Sequence, residues 1–389
     1  MKNIAIPVAI QIGLDDVAWD RGDDLRVIGQ QSRTGIPRYH TIEDYEAVEA
    51  LGAAFNQKIL CHICMIDWDK DNLLRGQKGI THNPDGWDRA GEIDIKKMEG
   101  FAAFMKNSKY MELALHGVSH GAYTDEGKRI HESEFFRAKE LYGLDRSLPL
   151  EKWDFDRRME LFFKIYNSWD FGQKIRAFDA PGGTCGTATE DLRPLAKWLK
   201  EWGIEYWFDS FCDLQPPMFN LEGLPCLHAS YKYPKSPKWD VYDFDPVELL
   251  PPFHTEDAPK MAGHGYHWPN ILRFNPKKNP ESVALWIEFY KRESEKFGTM
   301  MSRDIAFATA QGFYHYFTKV EETKNGYRFD LTEARALNNG RKAPLYLSVR
   351  NGFAPKAAEG VTVSLYEEKQ VFKTYEISSE ADIFELAFS

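Results

Sequence analysis

The chain has 389 residues, room for one large domain or for one large and one small. Its 49 Lys and Arg against 59 Asp and Glu leave a net charge of −10, which excludes a broad basic surface for neutralising nucleic-acid phosphates. A hydrophobic fraction of 43% excludes global disorder, and no apolar run approaches the ~20 residues that span a bilayer.

The opening run to Ile10 carries one positive residue, Lys2, and no small-residue cleavage site follows before Asp15-Asp16. It therefore reads as a first strand, Ile4–Gly13, rather than a secretory signal. Apolar spacing predicts a helix over Ile42–Phe55, with Thr41 as candidate N-cap and Glu43-Asp44 in the first turn, where negative charge suits the helix dipole. A strand over Lys58–Ile66, a helix over Ile93–Met105 and a strand over Met111–Leu115 follow. Phe155, Met159, Phe162, Phe163, Tyr166 and Trp169 fall on one helical face. Lys174–Phe178 and Glu205–Phe208 read as strands and Leu192–Trp202 as a helix. Ser282–Phe297 reads as a helix, and Ile305–Phe317 as a strand or a helix. This alternation is the pattern of an α/β protein.

Residues 212–280 lack periodicity and are rich in Pro, Tyr, Trp, Asp and His, the composition of an ordered, functional loop region. From Thr318 the pattern changes to short apolar runs at 327–331, 345–349, 361–366 and 383–388, punctuated by Gly326, Gly340, Gly352 and Gly360. The expected division is a barrel-type body over 1–317 and a small all-β domain over 318–389. Cysteines stand at 61, 64, 185, 212 and 226. Cys61 and Cys64 form a C-x-x-C inside an apolar strand with no second pair at zinc-finger spacing, so buried free thiols and a cytoplasmic location are expected.

Three spots carry chemistry, each just after a strand, where α/β folds place their sites. The first is Leu14-Asp15-Asp16. Neighbours on an extended strand point to opposite sides, so one carboxylate could bind a metal while the other stays free as a base; a surface turn is the plainer reading. The second is His116-Gly117-Val118-Ser119-His120 after an apolar run. His-x-x-x-His places two imidazoles one helical turn apart, a ligand pair for zinc and related ions, or else two structural histidines. The third is Asp179-Ala180-Pro181-Gly182-Gly183, a tight turn whose backbone N–H groups could hold a substrate carbonyl or an oxyanion. His62, beside Cys61, reads as a core histidine, and Trp19, Trp68, Trp87 and Trp268 as core, lid or sugar-stacking rings.

In this order the three motifs resemble the polysaccharide deacetylase family of carbohydrate esterases, over roughly residues 4–310. The resemblance implies a distorted (β/α) barrel with an incomplete strand count. It also implies a divalent metal, zinc most often, held by Asp16, His116 and His120. Asp15 would be the base that activates a metal-bound water, and a late-strand histidine the general acid. His264, ending a short apolar run, is preferred for the acid, with His267 close behind. Asp179, Pro181, Gly182, Gly183 and Trp268 would line the substrate. Two departures stand out: Val17 follows the Asp pair where the family has Gly, and Asp179 occupies the place of an Arg that pairs with the base. A second carboxylate there raises the pKa of Asp15 unless Arg176 or a lysine offsets it. The implied function is removal of acetyl from an N- or O-acetylated carbohydrate. An allantoinase-like amidohydrolase on a small nitrogenous compound, or a non-catalytic carbohydrate-binding protein, are the alternatives.

Overall fold

The computed structural model of the chain describes residues 3–22, 36, 38–137, 148–184, 187–211, 218–230 and 262–389. Its strands through the first 300 residues are β1 (Ile4–Ala5), β2 (Val8–Val17), β3 (Ile59–Cys64), β4 (Met111–Gly117), β5 (Ala122–Tyr123), β6 (Arg129–His131), β7 (Ala177–Phe178), β8 (Tyr206–Asp209), β9 (Met218–Leu221), β10 (Leu224–Ser230), β11 (Gly263–His267) and β12 (Thr299–Met301). Seven of them form a closed parallel ring in the order β2-β3-β4-β7-β8-β10-β11, with β11 pairing back onto β2. Closure leaves the ring without free edges. β12 pairs with the first residues of β2, and β9 lies antiparallel on β10.

Helices cover the ring: α1 (Ile42–Ala53), α2 (Ile95–Asn107), α3 (Lys152–Asn167), α4 (Arg193–Glu201) and α5 (Asn279–Ser294). Alternation along each strand divides the core. Ile12 and Leu14 of β2, Cys61 and Ile63 of β3, and Leu113 and Leu115 of β4 join one cluster with Val48, Leu51, Met98, Phe101, Phe162 and Ile165 of the helices. Leu60, Ala114, Ala177, Phe208 and Leu227 take the other parity and pack with one another inside the ring. Both faces of these strands are buried, so their sequences run apolar instead of alternating with polar residues.

Ile305–Phe317 is a helix, α6; the Asp304 carboxylate accepts from the Phe307 N–H at 2.8 Å and caps it. Gln311 of α6 donates to the Pro7 carbonyl at 2.9 Å and to the Tyr346 carbonyl at 3.0 Å, which sets the helix at the N-terminal end of the ring. Beyond it lie β13 (Lys319–Thr323), β14 (Gly326–Asp330), a short helix α7 (Thr332–Leu337), β15 (Leu345–Arg350), β16 (Val361–Glu368), β17 (Phe372–Ser379) and β18 (Ile383–Ala387). They make two antiparallel sheets, β13-β14-β18 and β1-β15-β17-β16. The expected single strand Ile4–Gly13 is thus split at Pro7. Ile4–Ala5 pairs with β15 in the C-terminal sheet, and Val8 onward builds the barrel. Ala308 and Phe313 of α6 share a core with Leu345, Leu347 and Val349, so the β-rich region packs on the barrel at that end.

Cys61, Cys64 and Cys226 are buried free thiols; Cys185 and Cys212 lie outside the described residues. Of the aperiodic stretch 212–280, residues 212–217 and 231–261 lie outside them too, His254 included.

Candidate metal centre

β2 does not remain a regular strand to its end. Its register with β3 runs Leu14 to Cys61 and then jumps to Val17 with Ile63. Asp16 takes φ 63° inside this bulge and Ala18 takes φ 77°. A non-glycine residue held left-handed costs of order 1 kcal/mol or more and persists where the surroundings over-determine it. The bulge corrects the expectation of strictly opposed neighbours. With alternation broken at Asp16, both carboxylates reach groups at the same end of the barrel: Asp15 lies by His62 and Asp16 by His116 and His120.

His116 is the penultimate residue of β4, but His120 is not one helical turn further on. The segment leaves the strand as a loop, with Gly117 at φ 125° and His120 at φ 54°. The buried Glu134 carboxylate shapes it by accepting the N–H groups of Val118 at 3.0 Å, Ser119 at 2.9 Å and His120 at 3.0 Å. Arg158 stands 3.5 Å from Glu134. Burial raises the Glu134 carboxyl; Arg158 and the three N–H donors oppose that rise without cancelling it. A Cβ at Gly117 would run into the Glu134 side chain, so this loop needs glycine there.

One carboxylate and two imidazoles therefore converge. The Asp16 Oδ1 atom is 3.3 Å from His120 Nε2 and 3.9 Å from His116 Nε2, and all three residues are buried. Zinc–nitrogen bonds of ~2.0–2.1 Å place the ligands of a tetrahedral ion about 3.3–3.4 Å apart, so the spacing and the N2O donor set suit a divalent cation such as zinc. His116 Nδ1 lies 3.0 Å from the Asp179 carbonyl oxygen, which can only accept. Nδ1 therefore carries the proton, and Nε2 is the atom presented to Asp16. The same bond argues against a second ion among Asp15, His116 Nδ1 and Asp179, although those three groups also lie close together.

The late-strand histidines separate by strand parity. His264 and Tyr266 face outward onto α5: His264 Nδ1 lies 2.6 Å from the Tyr290 hydroxyl, and its ring packs against Trp286 and Phe289. His267 has the opposite parity, and its Nε2 lies 3.8 Å from Asp16 Oδ2. The preference for His264 is thus reversed, because the apolar run that suggested it belongs to the outer face of β11.

Asp15 accepts from His62 Nδ1 at 2.6 Å; the same Nδ1 is 3.8 Å from Asp179 Oδ2. Burial pushes the Asp15 carboxyl up, but the His62 bond and the nearby His62, His116 and His267 more than reverse this and hold it well below the usual range. Arg176, one of the groups that could have offset Asp179, pairs instead with Glu112 at 2.7 Å and Glu205 at 3.7 Å. His62, read from sequence as a core histidine, is fully buried, and the reading did not anticipate its bond to Asp15. Asp209 was missed as well. It is buried at the end of β8 and accepts from Trp207 Nε1 at 3.0 Å, Ser210 N at 2.6 Å and Ala180 N at 3.4 Å. Burial dominates those bonds and raises its carboxyl to about 7.

The remaining candidates divide. Asp179 is buried and turned towards the rings of His116 and His62, so it supports histidines rather than lining a substrate. Pro181 is buried and Gly182 is exposed. Gly182 and Gly183 take φ 71° and 69°, and the Gly183 N–H is spent on the Ala180 carbonyl at 2.8 Å, which removes it as an oxyanion donor. Trp268 is fully buried, stacked on His40 with centroids 4.2 Å apart. It is a core ring and not a sugar platform; Trp19 and Trp68 are likewise fully buried.

The architecture and site define a seven-stranded parallel (β/α) barrel with an Asp-His-His cluster at the C-terminal ends of its strands. Among solved structures, the chain is similar to Agd3, described as a novel carbohydrate deacetylase, with a TM-score of 0.51 at 9% sequence identity. The match covers 98% of this chain and 65% of that one, so the chain spans about two thirds of its structural neighbour. At this identity the likeness concerns the fold. No family model and no curated protein matches the chain.

Proposed function

We propose that the protein is a divalent-metal-dependent hydrolase of the deacetylase type, removing acetyl from an N- or O-acetylated carbohydrate. The observation that carries the reading is the convergence of Asp16, His116 and His120 beside Asp15 on a barrel of this kind. A zinc ion held by those three residues would supply Lewis acidity to the scissile carbonyl and lower the pKa of water towards ~7. Asp15, kept ionised by its histidine neighbours, takes a proton from the attacking water. His267, reached from the same side as Asp16, returns a proton to the departing amine or alkoxide. Asp179 holds the His116 tautomer through its carbonyl, and Glu134 holds the loop that carries His120. The described cysteines, all free and buried, accord with a reducing, cytoplasmic setting.

A second reading, a C–N hydrolase for a small nitrogenous compound, draws support from the burial of Trp19, Trp68, Trp87 and Trp268, none of which is offered as a stacking surface. The deciding experiment measures metal content after native purification, then acetate release from acetylated oligosaccharides against amide hydrolysis of ureides, followed as loss of substrate. Stoichiometric metal, lost in His116→Ala, with acetate release supports the deacetylase. Ureide hydrolysis alone moves the assignment to the second reading. A metal-free, inactive chain overturns both and leaves a non-catalytic carbohydrate-binding protein.

A further inference from the structure

His62 and Asp15 stand on adjacent parallel strands, just past the Leu14–Cys61 register pair, and both point into the barrel. The His62 ring is fully buried, and its place is fixed from three sides. Phe208 of β8 packs against it with centroids 5.3 Å apart, and His116 lies at 5.9 Å. Gly13, two residues before Asp15, leaves the space: a Cβ there would sit 3.2 Å from His62 Cε1 and 2.5 Å from the Phe208 ring. Nδ1 faces a carboxylate oxygen at 2.6 Å, so in that bond the ring donates and Asp15 accepts.

We propose that His62 is the positioning residue of Asp15. Its Nδ1–H fixes Oδ1 and so orients the carboxylate within the barrel beside the Asp16-His116-His120 cluster. The proposal rests on the reading of Asp15 as the base. A buried ring locked by packing and bonded to a carboxylate restricts that carboxylate to one rotamer, which is how supporting residues set catalytic geometry to within ~0.5 Å. Any buried imidazole needs an acceptor; this one has the carboxylate next to the proposed ligand Asp16. Leu60 on the same strand and Ala114 on the next are apolar, and the polar groups around the ring are Asp15, Asp179 and His116 of the site itself.

The test uses the full chain and two variants. His62→Asn keeps an amide donor near the place of Nδ1, and His62→Leu removes it. In proton NMR of the metal-free protein, the Nδ1–H in this short bond should give a resonance downfield of the amide region. It should vanish in both His62 variants and also in Asp15→Leu, which leaves no acceptor for the bond. Zinc affinity, measured by competition with a chromophoric chelator, should stay within about threefold of wild type in both His62 variants, since His62 does not face Asp16. With 4-nitrophenyl acetate as probe, the zinc-loaded His62→Leu protein should lose roughly 10–100-fold in kcat at unchanged KM, and His62→Asn should recover most of it. A wild-type resonance that survives Asp15→Leu, or a His62→Leu variant with wild-type kcat, overturns the proposal. Failure of the wild type to take up zinc or cleave any acyl substrate instead sinks the hydrolase reading, while the resonance still decides whether the His62–Asp15 bond exists.

Discussion

Asp15 and Asp16 are chemically identical neighbours, and geometry alone separates their work. Asp16, at φ 63°, faces two imidazoles, and Asp15, on the regular part of the strand, faces His62. Asp15→Asn should leave zinc binding intact and cost ~10²–10⁴-fold in turnover, the range for losing a general base; retained turnover on a verified substrate would place the base elsewhere. Asp209 gives a second residue-scale prediction. Its carboxyl, ordinarily near 3.8, is raised by burial to about 7, so the folded state holds a proton that the unfolded state releases. That contribution is complete below about pH 4 and is lost as pH rises to about 7. Stability measured by urea unfolding should therefore fall across this interval, and Asp209→Asn should flatten the fall; an unchanged slope would assign it to another group. The ligand candidates Asp16, His116 and His120 were legible because their types and order mark them. His62 and the choice between His264 and His267 were not. On strands buried on both faces, apolar residues surround inward and outward positions alike, and nothing in sequence tells which parity meets the cavity.

At the scale of elements, α1, α2, α3 and α4 lie within a few residues of expectation, while the mostly apolar α6 had left strand and helix both open. Two-residue β7 carries too little pattern to bound, β13 is mostly exposed, and β17 is a partly buried strand whose apolar face is thin. The loop from Gly117 to His120 carries one of the proposed metal ligands, and its shape comes from Glu134, which no sequence spacing connects to it. Glu134→Ala should leave three buried N–H groups without their carboxylate and leave Arg158 without its counter-charge. Expected is a 10–100-fold loss of zinc affinity, approximately the cost of losing an outer-shell partner, measured by chelator competition, with the far-ultraviolet circular dichroism of the barrel retained. Gly117→Ala should behave similarly, because its methyl would collide with the same carboxylate at a left-handed φ.

The molecule as a whole places its chemistry at one end and its β-rich region at the other. The metal-ligand candidates stand at the C-terminal ends of the strands, while α6, bonded to Pro7, carries β15 and its sheet at the N-terminal end. The change of pattern at Thr318 was legible; the shared core was not, since apolar residues do not declare their partners. We propose that residues 1–317 and 318–389, though distinct in pattern, unfold together. Full-length protein should melt in a single transition, and a chain ended at 317 should lose it, because α6 and β1 would each lose an apolar partner face. A truncated chain with the wild-type melting temperature would show two independent domains.

The way β2 is shared also bears on how the protein is born. Val8–Ile10 pair with Thr299–Met301, Gln11–Asp15 with Gly263–His267, and Ile4–Ala5 with Ser348 and Val349. At ~5–20 residues per second on the ribosome, the first strand waits on the order of tens of seconds before its far neighbours exist. Through that interval one side of a strand that is apolar at most of its positions is an open template for the wrong partner. The nascent chain should be a persistent client of holding chaperones until β11 emerges. Substitutions that weaken β11 should therefore lower the yield of soluble protein well before they lower the stability of molecules that succeed in closing.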